Sequence, residues 1–211
     1  MIMDIENIKL SEAQKKYLIK AVDYYLDQFK IIESIENTNS ALLKIYELLD
    51  DINFKSFKEK AEKGEGTPSC KKGCSFCCNI QVACTEIEVD LIIKYMEDNN
   101  ISLTDTEKDR LKEQCKFILR KDELKYIQSP HKQCVFLKDN ECSIYPVRPL
   151  SCRNYFVYND PKLCDTNNTN EEDRMVEIDF NLECVAIILT ILEISNESTL
   201  SKFLNKKINA S

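Results

Sequence analysis

The chain has 211 residues, of which 43% are hydrophobic and 31% charged, and its net charge is -7 at pH 7. This composition provides enough apolar residues for a core, and the acidic balance argues against a nucleic-acid partner, because phosphate binding needs a basic surface. No apolar run approaches the roughly 20 residues that span a bilayer, and the first residues lack the pattern of a signal peptide. We therefore expect a single cytoplasmic domain over residues 1–211, with neither membrane nor nucleic acid as a partner.

Glycine and proline divide the chain into three segments. All three glycines and all five prolines fall between Gly64 and Pro161, so both flanking segments lack the strongest helix breakers. The sequence therefore predicts a mainly α fold with an N-terminal helical segment over residues 1–63 and a C-terminal one over 175–207. These segments are expected to frame a loop-rich, cysteine-lined, metal-binding centre over residues 70–164, which holds ten of the 11 cysteines.

The N-terminal segment predicts two packed helices. Ser11 and Gln14 have the spacing of a capping box, and a weak break over residues 37–40 separates two runs of helical period. The apolar positions of these runs are Leu18, Val22, Tyr25, Phe29 and Ile32, then Leu42, Ile45, Leu49 and Ile52.

Further elements are predicted downstream. Thr85 with Glu88, and Thr104 with Glu107, repeat the capping-box spacing and predict helices that reach about residues 97 and 120. The sequences Cys-Val-Phe-Leu and Cys-Ser-Ile-Tyr, on either side of a Lys-Asp-Asn turn at residues 138–140, predict a short β-hairpin. An exposed acidic loop over 165–173 and a last helix over about 179–193 complete the expected fold.

Four cysteines occupy nine residues, Cys70-Lys-Lys-Gly-Cys74-Ser-Phe-Cys77-Cys78. Two to four residues between thiols allow both to reach one ion from a tight turn, and Gly73 suits a turn with an unusual backbone angle. Metal binding is favoured over a disulfide framework, because the cysteine count is odd and no secretory signal is visible.

The adjacent pair Cys77-Cys78 bears on the number of sites. Neighbouring side chains of an extended backbone point to opposite sides, so two adjacent thiolates do not easily bind one ion. Either the two cysteines face different sites, or only one of them is a ligand. The candidate ligands number eight, enough for two four-ligand sites: Cys70, Cys74, Cys77, Cys78, Cys134, Cys142, Cys152 and Cys164.

The other three cysteines are interpreted as non-ligands. Cys115 and Cys184 share helical faces with apolar residues and are expected to be small core side chains. The sequence does not decide whether Cys84 is a ligand, because Cys84 lies only six residues from Cys78. His131 is the only histidine, which disfavours catalysis by a Ser-His-Asp or Cys-His arrangement.

Basic residues flank the cysteines and allow two interpretations. Lys71 and Lys72 lie within the first group, and Arg148 and Arg153 lie on either side of Cys152. They either lower the pKa of nearby thiols and offset the charge of a thiolate site, or form an ordinary solvated surface.

The cysteine pattern resembles the YkgJ-type cysteine-cluster family, whose members are described as zinc- or iron-chelating domains and include flagellin lysine N-methylases. The resemblance covers residues 70–164 and rests on Cys-x3-Cys-x2-Cys-Cys and on Cys-Ser-Ile-Tyr-Pro-Val-Arg-Pro-Leu-Ser-Cys-Arg. It implies that the eight candidate cysteines are metal ligands. For the methylases it also implies an iron–sulfur cluster and methyl transfer from S-adenosylmethionine to lysine.

The first three cysteines, with Phe76 before the third, also match the cluster motif of radical S-adenosylmethionine enzymes. This chain lacks the strand–helix repeats of that family's barrel and adds Cys78 and four later cysteines, so we interpret the match as coincidental.

The leading prediction is a cysteine-thiolate metal-binding protein that holds an iron–sulfur cluster, zinc or both in up to two sites. Zinc would be structural, whereas an iron–sulfur cluster would allow electron transfer, sensing or cofactor activation. The alternative is an S-adenosylmethionine-dependent protein-lysine N-methyltransferase with an iron–sulfur cluster and a protein substrate. A third hypothesis is an adaptor that binds a protein partner and is built on a structural zinc.

Overall fold

The computed structural model describes residues 10–71, 73–167 and 181–209. Over these residues the protein is mainly helical, as predicted, with helices at both ends of the chain and loops, short turns and two small sheets between them. None of the described helices is long and apolar enough to cross a membrane.

The two N-terminal helices confirm the periodicity of the sequence. Helix α1 is Glu12–Ile35, and it begins with the predicted capping box, in which Ser11 N donates to Gln14 Oε1 at 2.8 Å and Ser11 Oγ accepts from Gln14 N at 3.3 Å. Helix α2 is Thr38–Glu62, and the Asn37 side chain caps it by accepting from Ser40 N at 2.9 Å. The apolar positions of the two helices face each other and enter one core.

The C-terminal helix α7 is Leu182–Ile194, and it packs against both α1 and α2. We call these three helices, α1, α2 and α7, the helical frame. Asn181 caps α7, so the helix begins slightly later than the predicted residue 179, and residues 168–180 lie outside the described part of the chain. The predicted acidic loop over 165–173 also falls mostly outside it.

Helices α3 and α4 both begin at the predicted capping boxes. Helix α3 is Glu86–Asp98 and follows Thr85, and α4 is Asp105–Gln114 and follows Thr104. The predicted extension of α4 to residue 120 is wrong. The Gln114 side chain donates to the carbonyls of His131 at 2.7 Å and Gln133 at 2.8 Å. Arg120 adopts a φ of 62°, which helical backbone does not allow.

A small sheet joins distant parts of the chain and was not predicted. Strand β1 is Ala83–Thr85, and it pairs antiparallel with β4, Glu197–Thr199. Helix α8, Leu200–Ile208, follows β4 directly and packs against α3 and α4. Each strand is only three residues long, which is too short for a period of two to be recognised in the sequence.

The predicted hairpin is present as β2, Leu137–Lys138, and β3, Glu141–Cys142. Asp139 and Asn140 have φ values of 50° and 62°, as the two central residues of a type I′ turn require. The remaining elements of the centre are short. They are α5 (Glu123–Gln128), α6 (Leu150–Arg153) and 3₁₀ turns at Phe76–Asn79, Tyr145–Val147 and Pro161–Cys164.

One hydrophobic core connects the frame to the cysteine-bearing loops. Phe136, Ile144 and Leu150 are no more than 2% exposed and belong to the same cluster as the frame residues Phe29 and Leu49. These apolar residues alternate along the chain with the later cysteines. Burial of the apolar residues therefore fixes the backbone from which those cysteines project.

Candidate metal centre

All eight candidate ligands lie on loops, turns or very short elements. Each of their side chains is half-buried, and none forms a disulfide. Cys77 and Cys78 lie in the 3₁₀ turn Phe76–Asn79, Cys142 ends β3, and Cys152 lies in α6. Gly73 has a φ of 85°, which agrees with the predicted turn before Cys74.

Backbone hydrogen bonds and packing bring the separate cysteine segments together. Cys134 N donates to the carbonyl of Cys78 at 2.7 Å. The turn that contains Cys77 and Cys78 packs against the turn Pro161–Cys164. Segments that are far apart in sequence are therefore adjacent in the fold.

Four of the thiols interact with one another, and we call them the inner thiols: Cys77, Cys134, Cys142 and Cys152. The pKa of Cys134 is raised to about 12, mainly by burial and also by repulsion from the other three inner thiols, while a backbone hydrogen bond from Phe136 lowers it. Burial also raises the pKa of Cys152 to about 12, with further contributions from Cys77 and Cys142. The pKa of Cys77 is raised mainly by a hydrogen bond shared with Cys78.

Three other thiols form a second group, and we call them the outer thiols: Cys70, Cys74 and Cys164. The pKa of Tyr155 is raised by burial and then by repulsion from Cys164, Cys77 and Cys70. The pKa of Cys70 is raised by burial, and repulsion from Cys74 and Cys77 adds to this effect. Cys77 thus interacts with both sets of thiols.

Backbone N–H groups point at three of the sulfur atoms. Cys134 receives a backbone hydrogen bond from Phe136, and Cys142 receives one from Ile144, two residues further on in each case. Cys70 receives one from Val157. A hydrogen bond to sulfur favours the thiolate, and such bonds are a feature of the protein environment of metal–thiolate sites.

The two arginines near Cys152 have different surroundings. The Arg148 guanidinium lies 3.8 Å from the centre of the Tyr145 ring, and its charge lowers the pKa of Cys77, Cys142 and Cys152 against the effect of burial. The predicted electrostatic role is therefore supported for Arg148.

Arg153 instead contacts the helical frame and is 3% exposed. Its Nη1 lies 2.6 Å from Asp50 Oδ2, and its guanidinium lies 4.2 Å from the centre of the Tyr46 ring. It also donates to the carbonyls of Pro146 and Arg148. Of the two lysines in the first group, Lys72 lies outside the described residues.

The other cysteines lie in the core or at its edge. Cys84 and Cys184 are fully buried, on β1 and α7. Cys115 is the C-cap residue of α4, and its thiol donates to the carbonyl of Ser201 at 3.2 Å. Its predicted helical face does not form, because the helix ends at Gln114.

Across residues 10–71, 73–167 and 181–209, no three His, Cys, Asp or Glu side chains already stand as a preformed metal site. Coordination of an ion would therefore draw the thiols closer together than they are here. The donor set itself fits a thiophilic metal, because eight half-buried sulfurs on short turns, some with N–H donors and a nearby guanidinium, are the ligands that zinc and iron–sulfur clusters use.

Comparison with known proteins supports the same chemistry. Neither a curated protein nor a solved structure matches the chain. A family model named CxxCxxCC and described as "Putative zinc- or iron-chelating domain" matches residues 69–177. This range includes all eight candidate ligands, although three residues separate Cys70 and Cys74 where the family's name has two. Since the match spans more than half of the chain, the protein belongs to the CxxCxxCC family.

Proposed function

We propose that the protein binds zinc or an iron–sulfur cluster through its eight candidate cysteines, in two sites that meet at Cys77 and Cys78. The observation that carries this proposal is the convergence of the cysteine-bearing segments: Cys134 N donates to the carbonyl of Cys78 at 2.7 Å, and the turn of Cys77 and Cys78 packs against the turn Pro161–Cys164. The effects of the inner thiols on one another's pKa values agree with this convergence. The outer thiols support a second site, because Cys70 and Cys164 both lie beside Tyr155 and Cys74 lies beside Cys70.

Metal would act first on the structure of the centre. Thiolate ligands from separate turns, joined through one ion, cross-link loops that have few regular elements of their own. Zinc would supply this cross-link without redox chemistry, and an iron–sulfur cluster would add a one-electron couple. The residues that hold either group are the same, so the ligand assignment does not depend on the metal.

Metal identity is tested by purifying the full chain without oxygen and measuring zinc, iron, labile sulfide and the visible spectrum. Iron with sulfide and a brown colour indicates a cluster, whereas zinc in a colourless protein indicates a structural site. A protein that contains neither metal, and takes up neither after reconstitution, contradicts the proposal.

The number of sites is tested with single and double cysteine variants. Cys74→Ser removes an outer thiol and Cys134→Ser an inner one, so each is expected to lose about half of the bound metal, and the double variant nearly all of it. Cys115→Ser is the control and should keep the wild-type metal content. If either single variant loses all metal, one site uses both sets of thiols, and the two-site proposal is wrong.

No observation on the described residues favours the S-adenosylmethionine-dependent methyltransferase or the zinc-based adaptor. Both stay predictions that follow from the sequence, and binding of S-adenosylmethionine to the metal-loaded protein would test the first.

A further inference from the structure

Glu88 is an acidic side chain buried where the frame meets the cysteine-bearing loops. It is 2% exposed and lies in the first turn of α3. Its Oε2 accepts from Thr85 N at 2.7 Å and from Thr85 Oγ1 at 3.0 Å, which completes the capping box of α3. A cap alone does not require burial, because capping carboxylates are commonly exposed to water.

The second oxygen of Glu88 makes two long-range hydrogen bonds. Oε1 accepts from the backbone N of Leu150 at 2.7 Å and from the hydroxyl of Tyr46 at 3.1 Å. Leu150 is the first residue of α6, and Cys152 lies two residues further on. One carboxylate therefore joins α2, α3 and the turn that carries an inner thiol.

The same segment is fixed at two other points. Ser151 donates to the carbonyl of Ala83 in β1. Arg153, which is paired with Asp50 of α2, donates to the carbonyls of Pro146 and Arg148. Residues 150, 151 and 153 are thus attached to α3, β1 and α2, and Arg153 ties the carbonyls of Pro146 and Arg148 to the same segment.

Glu107 provides an internal comparison for Glu88. Its Oε2 accepts from Thr104 N at 2.7 Å and from Thr104 Oγ1 at 3.0 Å, the same distances as in the first box. Its other oxygen lies 3.6 Å from Lys138 Nζ in a partly exposed ion pair. The two boxes are alike in capping a helix. Glu107 reaches the hairpin that carries Cys142 only through this side-chain ion pair, whereas Glu88 binds the backbone of the turn that carries Cys152.

Burying a carboxylate costs free energy that hydrogen bonds must offset. Glu88 has four such bonds, two more than the cap uses. Groups that orient the ligands of a metal centre typically contribute 10- to 100-fold to metal affinity. We propose that Glu88 is a positioning residue of the metal centre, which holds α6 so that Cys152 and Arg148 face the other inner thiols. This inference rests on the proposed metal-binding function.

The test compares Glu88→Gln with Glu107→Gln in the full chain. Both variants replace the carboxylate of a capping box, so both are expected to lose some helix stability. Zinc affinity is measured by competition with a chelator, and the cobalt(II)-substituted protein is examined for its d–d absorption bands. We expect Glu88→Gln to weaken zinc binding roughly 10- to 100-fold and to shift the cobalt bands. Glu107→Gln should leave both within about twofold of the wild type.

Tyr46→Phe is a milder variant, because it removes one hydrogen bond to Glu88 and keeps the ring. It should weaken zinc binding severalfold, and it carries the test if Glu88→Gln does not fold. The inference is wrong if the folded Glu88→Gln variant, or otherwise Tyr46→Phe, keeps wild-type zinc affinity and cobalt bands, or if Glu107→Gln loses as much affinity as Glu88→Gln. A wild-type chain that binds no zinc, no cobalt and no iron–sulfur cluster contradicts the proposed function instead.

Discussion

In the helical frame, apolar side chains supply the contacts between elements. In the cysteine centre, by which we mean residues 69–71, 73–79 and 133–164, backbone hydrogen bonds and half-buried thiols are added to a few buried apolar side chains such as Phe136 and Ile144. Phe29, Leu42 and Leu49 of the frame are fully buried, and each such side chain contributes about 1.5–3 kcal/mol by its transfer out of water. A hydrogen bond such as Cys134 N to Cys78 O contributes only about 0.5–1.5 kcal/mol net. From this difference we expect the frame to be stabilised by packing and the centre to depend in addition on the metal that its thiols are proposed to bind.

Removing the metal should separate the two regions most clearly. After treatment with a chelator under reducing conditions, we expect amide-exchange protection in the cysteine centre to fall by about 10²-fold or more, because the cross-links between turns are lost. Protection in the middle of α1 and α2 should change by less than about threefold. Hydrogen exchange followed by mass spectrometry measures both regions in one sample, and equal losses in frame and centre would contradict the comparison.

A core substitution in the frame should lower the stability of the fold and leave the metal content unchanged. Leu49 is fully buried in α2, so Leu49→Ala is expected to lower the free energy of unfolding by about 2–5 kcal/mol. Metal content of the folded variant should equal that of the wild type, because Leu49 lies in the frame. Leu43→Ala, on the same helix with a 38% exposed side chain, is the control and should cost much less. Metal loss in the folded Leu49→Ala variant would show that the regions are not separable.

The frame and the hairpin could be predicted from local sequence because their causes are local. Helical period set the buried positions of α1 and α2, and the capping boxes at Ser11, Thr85 and Thr104 gave the helix starts. The turn through Asp139 and Asn140 gave the hairpin. The β1–β4 sheet and the early end of α4 depend on contacts between distant segments, and no local pattern records them.

The candidate site shows the same limit. Spacing and residue type indicated the eight cysteines, and the glycine before Cys74 indicated a turn. The sequence could not show that Cys77 interacts with both sets of thiols, or that Arg148 and Arg153 face different surroundings, because both depend on how α6 sits against the frame. For the same reason Glu88 was recognised only as a helix cap. Its contact with Leu150 N spans the fold, and no sequence signal distinguishes it from Glu107.

The metal affinity of the centre should depend on pH. Burial is the main cause that raises the pKa values of Cys134 and Cys152 from about 9 to about 12, so both thiols are protonated at neutral pH unless a metal binds them. Metal binding must release these protons, and we expect the apparent metal affinity to fall as pH falls from 8 to 6, by up to about tenfold per pH unit for each proton released. Chelator competition at several pH values measures this slope, and a pH-independent affinity would contradict it.

Metal affinity should rise with pH, whereas the folding stability of the protein without metal should fall as pH rises. A thiol whose pKa is higher in the folded state stabilises that state below its unfolded pKa, and this contribution is lost as pH rises through the folded pKa. Denaturant unfolding of the metal-free protein should therefore show decreasing stability between about pH 9 and pH 12. Increasing stability over that range would mean that these thiols are not held protonated by the fold.

The smallest expected effect concerns the charge of Arg148. Its guanidinium is partly exposed and lowers the pKa of three inner thiols, so solvent reduces its contribution to roughly 0.5–1 kcal/mol. Arg148→Gln should weaken metal binding about two- to fivefold, and added salt should weaken the wild type more than the variant, because the charge is screened. The matched control is Lys138→Gln, because it removes an equal charge from a residue that is paired with Glu107. Chelator competition at low and high salt compares the two variants. Equal effects of the two substitutions would mean that Arg148 acts only through the net charge of the protein, and that the inner thiols gain nothing from its position.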